Sequence, residues 1–420
     1  MIFKRKLYDK LLVWKQQTAG TKALLIEGAR RIGKSTLVEE FAKNEYRSYL
    51  MIDFNKVSDS VISAFNNYMN DLDTFFLILS SEYGVRLYPK ESIIIFDEIQ
   101  QFPKARQAIK YLVADGRFDY IETGSLISIK ENVNDITIPS EERTLLMYPM
   151  DFEEFAWAMN EEPLMAYIRQ CFDKKVPLEQ GIHAKAMLLF RQYMIVGGMP
   201  KSLSAYLENN RSFEMADMEK RDILTLYRND IKKIKSGYRS SVLSIFDQIP
   251  AFLSRSERRV VMNRIEKGAS FPKYHDTFFW LSDSMIANEC FNCSDPNVGL
   301  SLNEDRTYVK CYMGDTGLLI SHTFDENEIS DGELYREILL GKLSVNEGMF
   351  YENVIAQMLV AAGHKLYFYT RYNQEKHRND MEIDFILSNH SKLRYKIFPI
   401  EVKSNDKYSI RSLTRLNERF

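Results

Sequence analysis

The stretch Gly28-Ala29-Arg30-Arg31-Ile32-Gly33-Lys34-Ser35, followed by Thr36, decides the fold of this chain. Its two glycines stand five positions apart and lead into Lys-Ser, the pattern of a phosphate-binding loop. The residues before it, Ala23-Leu-Leu-Ile-Glu27, read as a buried strand. The residues after it, Ser35 to Lys43, put Leu37, Val38 and Phe41 towards one side of a helix. Between a strand and a helix, the loop's backbone N–H groups and the helix N-terminus form an anion nest. Lys34 would reach the β- and γ-phosphates of a nucleotide and the Ser35 hydroxyl would ligate Mg²⁺. A glycine-rich turn with a chance Gly-Lys-Ser is the plainer reading, and the agreement of both flanks speaks against it.

A second stretch agrees with the first. Ser92-Ile-Ile-Ile-Phe-Asp97-Glu98 is an apolar run ending in two carboxylates, as suits a central parallel strand covered on both faces. Asp97 falls at the strand's C-terminal end, where open α/β sheets bind ligands. It is the Walker B residue in this reading, holding Mg²⁺, and Glu98 beside it orients and deprotonates the attacking water. Asn55-Lys-Val-Ser58 lacks the Asp of a guanine-recognition motif, so the nucleotide expected is ATP.

Strand and helix alternate up to about residue 155: strands over Tyr49–Asp53, Ile93–Asp97, Asp119–Thr123 and Thr144–Tyr148, and a helix over Pro103–Ala114. Thr123 and Ser125 close the fourth strand. A polar residue there senses the γ-phosphate or the lytic water, or else caps a helix; Ser125 is a catalytic candidate. From Asp151 the period is helical. Ser240 to Asn292 reads as short helices, with a helix over Thr277–Asn288, and Tyr308–Met313 as a strand, which together suit a winged helix. Arg255, Arg258, Arg259, Arg264, Lys267 and Lys273, with Lys232, Lys233, Lys235 and Arg239 upstream, could meet DNA phosphates there or be solvated helix faces.

The last part returns to α/β. Glu352 lies in a helix. Met381-Glu-Ile-Asp-Phe-Ile-Leu387 and Phe398-Pro-Ile-Glu-Val-Lys403 alternate, so Glu382 and Asp384 share a face, as do Glu401 and Lys403. Such a set can hold a divalent metal and poise a water for phosphodiester attack, or be the wet face of a strand.

At 420 residues the chain has room for two to four domains of roughly 100–200 residues. A formal net charge of −2 declares neither nucleic acid nor membrane as a partner, so any basic site is local. The start carries no signal-peptide pattern and no apolar run approaches a spanning length, so no membrane partner is expected. Four cysteines fit reduced thiols in a cytoplasm; Cys290-x-x-Cys293 with Cys311 and His322 has irregular spacing for zinc and reads as buried thiols.

The strings Gly-Ala-Arg-Arg-Ile-Gly-Lys-Ser, Ile-Ile-Phe-Asp-Glu-Ile-Gln, Glu-Thr-Gly-Ser-Leu and Tyr-Pro-Met-Asp-Phe-Glu-Glu-Phe resemble the prokaryotic AAA-type ATPases that carry a C-terminal DUF4143 domain. Tyr-Met-Ile-Val-Gly-Gly-Met-Pro, Tyr-Met-Gly-Asp-Thr-Gly-Leu, Glu-Gly-Met-Phe-Tyr-Glu-Asn, Glu-Ile-Asp-Phe-Ile and Ile-Glu-Val-Lys-Ser extend the resemblance over essentially the whole chain. It implies an α/β fold: an AAA-type parallel sheet with an additional strand between the P-loop and Walker B strands, a helical and winged-helix middle, and a small part resembling PD-(D/E)xK nucleases. Glu352, Asp384, Glu401 and Lys403 match that nuclease pattern and would hold a second divalent metal. Glu142-Arg143 stands where many members have Gly-Arg. The domains expected are 1–155 (ATPase), 156–238 (helical linker), 239–325 (winged helix) and 326–420 (nuclease-like). Because the chain stops at Phe420, soon after Glu-Val-Lys, the last domain is expected to be cut short. The partners expected are ATP, DNA, and a protein or a second copy of the chain. Two functions follow: an ATP-powered DNA-processing enzyme, or a nucleotide-gated switch with an inactive nuclease-like domain.

Overall fold

Ala23–Gly28 and Ser92–Asp97 are buried along their whole length, as strands covered on both faces are, whereas the edge strand Glu142–Met147 is largely exposed. The computed structural model describes residues 1–125, 140–234, 239–255, 258–260, 271–296, 299–325, 332–342, 347–373, 378–388, 397–404 and 408–419. The chain divides into two compact units, Met1–Tyr148 and Pro149–Phe420.

In the first unit, α1 (Lys6–Gln17) precedes β1 (Ala23–Gly28), α2 (Lys34–Glu45), β2 (Ser48–Asp53), α3 (Asp59–Asn67), α4 (Leu72–Tyr83), β3 (Ser92–Asp97), α5 (Pro103–Asp115), β4 (Asp119–Gly124) and β5 (Glu142–Met147). The strands form one parallel sheet in the order β2-β3-β4-β1-β5, so β4 lies between the P-loop strand β1 and the Asp97 strand β3. Leu25, Ile52, Ile94, Phe96 and Tyr120 project into a core with Phe65, Phe75, Ile109 and Leu112 of the helices. The register sets Asp53 beside Asp97, which brings the carboxyl ends of these strands to one rim.

The second unit opens with α6 (Phe152–Ala158), whose capping box joins Asp151 and Glu154. Then come α7 (Glu162–Lys174), α8 (Gln180–Val196), α9 (Pro200–Glu208), α10 (Phe213–Lys232), α11 (Arg239–Leu253) and α12 (Phe271–Asp283). There follow β6 (Ala287–Cys293), β7 (Glu304–Met313), α13 (Thr316–Thr323), α14 (Glu333–Leu340), α15 (Gly348–Ala361), β8 (Leu366–Asn373), β9 (Arg378–Ser388), β10 (Ile397–Ile400) and α16 (Arg411–Arg419). Gly197-Gly198 ends α8 as expected, with Gly197 at φ 81°.

Three expectations for this unit are corrected. The β6–β7 ribbon is not a separate wing: β6 pairs in parallel with β8, giving one mixed sheet β10-β9-β8-β6-β7. A boundary at 325/326 would cut that sheet, so a winged-helix domain over 239–325 does not stand apart. The helix expected over Thr277–Asn288 ends at Asp283, because Ala287 and Asn288 enter the ladder opposite Met313 and Tyr312. The strand expected through Lys403 ends at Ile400; beyond it the Val402 N–H donates to the Asp384 carboxylate (2.8 Å) instead of to a neighbouring strand.

The α15 helix is tied to the turn after β7 by buried amides. The Asn353 side chain accepts from the Met313 N–H (2.7 Å) and donates to the Met313 carbonyl (3.2 Å) and the Thr316 hydroxyl (2.9 Å). Gln357 accepts from the Thr316 N–H (2.9 Å) and donates to the Tyr193 hydroxyl (3.0 Å). Asn353→Ala strands the Met313 backbone groups in a dry interior, at about 1–3 kcal/mol for each polar group left unsatisfied. The unfolding transition of the Pro149–Phe420 unit should move to clearly lower urea concentration; an unchanged midpoint would contradict this account of α15.

Candidate functional site

The P-loop owes its shape to two backbone constraints. A Cβ on Gly28 would lie 2.4 Å from the Met147 carbonyl oxygen and 2.5 Å from Ile32 Cδ1, so only glycine lets the loop leave β1 beside β5. Gly33 caps α2 in the left-handed region at φ 90°, and Arg31 also sits there at φ 68°. Ile32 is buried, and Thr36 is exposed in the first turn of α2. Lys34 is buried, and its ammonium donates to the Gly28 (3.0 Å) and Ala29 (2.9 Å) carbonyls. Burial pushes it down to about 8; Glu98 and Asp97 oppose that shift, and Arg30 adds to it.

The Ser35 hydroxyl donates to Asp97 Oδ1 at 2.7 Å. The Thr123 hydroxyl donates to the same oxygen and accepts from the Glu98 N–H at 3.3 Å. Burial raises the Asp97 carboxyl above its ordinary range, and the Thr123 and Ser35 hydrogen bonds work against that rise. Glu98 lies in the left-handed region at φ 55°, and its carboxylate accepts from the Gln100 amide. An uncommon backbone conformation of a non-glycine residue beside a buried acid is typical of functional sites.

The loop, Asp97 and Glu98 therefore converge at one rim of the sheet. Ser125 lies at the end of β4, half-buried, one residue past Gly124. Thr123 is the residue whose hydroxyl meets Asp97. Only the sheet register could distinguish the two, because it decides which side chain at the end of β4 faces β3. Arg5 and Gln100 carried no signal in the sequence. The Arg5 guanidinium donates to the Ile32 (3.0 Å) and Tyr148 (2.6 Å) carbonyls. Glu142 forms a bidentate pair with Arg106 (2.8 and 3.0 Å), and Arg143 is exposed on β5.

In the second unit, Arg258, Glu352, Glu382, Asp384, Glu401 and Lys403 line one pocket of about 330 Å³. The four nuclease-pattern residues thus come together. Glu352, Glu382 and Asp384 accept hydrogen bonds within the protein. Glu352 is ion-paired with Arg258 and accepts from the Tyr312 hydroxyl at 3.0 Å. Buried Lys310 sits 2.9 Å from Glu382 and 3.9 Å from Glu352. Lys403 is 3.5 Å from Glu401. Among the described residues no group of three or more His, Cys, Asp or Glu is arranged to hold a metal ion.

Several of the basic residues read as DNA-facing or as solvated helix faces have partners within the protein. Arg258 turns into the carboxylate pocket, Arg259 lies over the Tyr308 ring at 5.0 Å, Arg239 donates to the Ile234 carbonyl and Lys233 pairs with Asp230. Arg264, Lys267 and Lys235 lie outside the described residues, as does the Lys273 side chain. The cysteines are free and buried, and burial pushes the Cys293 thiol up to about 11. Among the described residues no helix is long and apolar enough to cross a membrane.

Residues 20–156 match the family model described as AAA domain. Residues 187–328 match a domain of unknown function, DUF8612, and residues 347–420 another, DUF4143. The mixed sheet draws β6 and β7 from the first of these two and β8–β10 from the second. No curated protein matches the chain. Among solved structures it is similar to the Aeropyrum pernix Orc1 protein in complex with DNA, at 9% identity over 78% of this chain and 93% of that one, TM-score 0.28. It is also similar to AMPPCP-bound DnaA from Aquifex aeolicus, at 10% identity over 67% and 90%, TM-score 0.30. A third is the Thermotoga maritima RuvB Holliday junction branch migration motor, at 12% identity over 68% and 89%, TM-score 0.28. Loop, sheet order and family match define the class of the first unit as an AAA-type P-loop domain. The chain joins this AAA domain to a C-terminal DUF4143 segment.

The Lys34 environment gives a pH test. The folded state releases this proton at lower pH than the unfolded chain, so its term in stability rises with pH between about 8 and the ordinary lysine value near 10.4. Phosphates at the loop favour the charged amine, so ATP binding above about pH 8 should take up a proton. Calorimetry with Mg–ATP in buffers of different ionisation enthalpy should give uptake near zero at pH 7, rising towards about one proton at pH 9. An uptake that does not change with pH would contradict the buried position of the amine.

Proposed function

We propose that the P-loop residues 28–36 cradle the phosphates of ATP and that this chain couples ATP hydrolysis to the state of its C-terminal pocket. The observation that carries the reading is the convergence of Lys34, Ser35, Asp97, Thr123 and Glu98 at one rim of the sheet. The donor set suits Mg²⁺, since the Ser35 hydroxyl and the Asp97 carboxylate are hard oxygen ligands already in mutual contact. When bound, Mg²⁺ would draw charge from the β- and γ-phosphate oxygens. Lys34 exchanges the Gly28 and Ala29 carbonyls for phosphate oxygens. Glu98 takes the proton of the attacking water, with Gln100 and the Thr123 contact fixing its position. Ser125, beside Thr123, is the second polar group at the γ-phosphate end.

Lys34→Ala should remove most ATP affinity, because the backbone nest alone leaves phosphate charge unpaired. Glu98→Gln should keep ATP bound and slow hydrolysis by about 10²–10⁴-fold. Wild-type turnover in Glu98→Gln, with phosphate release as the readout, would place the base elsewhere.

For the C-terminal pocket, DNA is the partner proposed, and two modes are open. Cleavage would use a second divalent metal on Asp384 and Glu401, with Glu352 completing the shell and Lys403 steadying the phosphorane charge. The pairing of Glu352 with Arg258 favours the other mode, a nucleotide-gated switch that engages its partner without cutting. Under the switch reading, incubation with Mn²⁺ and single- or double-stranded DNA leaves the DNA intact in wild type and in Asp384→Ala. Cleavage by wild type that vanishes in Asp384→Ala and Lys403→Ala would restore the nuclease reading.

A further inference from the structure

Arg5 lies ahead of the stretch matched as an AAA domain and outside every phosphate-loop motif. Its side chain is nevertheless among the most deeply buried charges of the first unit, at 7% exposure. Helix α1 aims it. The helix packs on α2 through the Tyr8 and Phe41 rings, whose centroids are 5.4 Å apart. The Tyr8 hydroxyl donates to Glu45 at 3.1 Å, and Trp14 Nε1 donates to the Lys22 carbonyl at 3.0 Å. Leu7 and Leu11 are buried on the same side. Arg5 precedes the first turn in extended conformation, and its guanidinium reaches the Ile32 carbonyl at 3.0 Å and the Tyr148 carbonyl at 2.6 Å.

We propose that Arg5 is a positioning residue of the nucleotide site, holding the Ile32–Gly33 peptide so that the Gly33 N–H faces the phosphates. A trans peptide is planar, and its C=O and N–H point in opposite directions. The described peptide bonds are all trans. With the Ile32 carbonyl held by Arg5, the Gly33 N–H is directed away from the guanidinium. Gly33 is the residue for which a peptide flip is cheapest, because glycine populates both signs of φ. An unclamped flip would replace a donor with a carbonyl oxygen facing the phosphates. The second bond, to Tyr148 at the end of β5, gives the clamp a fixed anchor and keeps the guanidinium from following the loop.

This inference rests on the nucleotide reading above, and the experiment separates the two. Mg–ADP and Mg–ATP affinities would be measured by calorimetry for wild type, Arg5→Lys and Arg5→Ala, alongside KM and kcat for hydrolysis. Arg5→Ala should weaken both nucleotides by roughly 10- to 100-fold, the range for a lost charge-assisted hydrogen bond. KM should rise to match while kcat changes little. Arg5→Lys, which keeps the charge but not the two-pronged geometry, should recover part of the affinity. A purely structural role would lower the melting temperature of the ligand-free chain without this split between KM and kcat. Should Arg5→Ala fail to fold, the Arg5→Lys comparison alone decides: wild-type affinities in Arg5→Lys would overturn the proposal, as would wild-type affinities in a folded Arg5→Ala. A wild type that binds neither nucleotide would overturn the nucleotide reading itself.

Discussion

The buried carboxylate of Asp97 is the constraint around which the first unit is arranged. It ends an entirely buried strand, and taking such a charge out of water is costly unless hydrogen bonds replace the lost solvent. Two hydroxyls do so, from Ser35 at the start of α2 and Thr123 near the end of β4. The placing of β4 between β1 and β3 is what makes this possible, since Thr123 must come from the strand adjacent to β3. The same threonine accepts from the Glu98 N–H, so one side chain meets both acids at the end of β3. The loop and the strand order thus meet in satisfying one buried group.

A similar demand is met differently in the second unit. Glu352 is almost fully buried and has three neighbours able to satisfy it: Tyr312, Arg258 and Lys310. Two of those are cations supplied by the chain itself. A carboxylate cluster neutralised from within costs less to bury than one waiting for a metal. The cations come from the segment after α11 and from β7, the parts that resembled a separate winged helix in the sequence. Their side chains serve the carboxylate pocket because β6 and β7 belong to its sheet.

Much of the first unit was legible because its signals are local. The glycines, Lys34 and Ser35 lie in one loop, and the apolar run before Asp97 marks a central strand by composition alone. The alternation of strand and helix implied the parallel sheet, and the resemblance implied the strand that lies between β1 and β3. What escaped was long-range. Arg5 reaches Ile32 and Tyr148, 27 and 143 positions away. Asn353 and Gln357 look like ordinary helical polar residues until α15 is laid against the turn after β7. The β6–β7 ribbon read as a wing because nothing in its own residues records that β8 will pair with it. Glu382 and Asp384 were correctly placed on one face, yet that pattern does not say that Lys310 and the Val402 N–H are what face them.

The central claim is that the rim formed by Lys34, Ser35, Asp97 and Glu98 turns over ATP. Release of inorganic phosphate by the intact chain, followed with Mg²⁺ and again after chelation, tests it most directly. The account predicts steady release of phosphate from ATP that stops when the cation is removed and returns when it is restored. Absence of phosphate release under both conditions, or release indifferent to the cation, would contradict it.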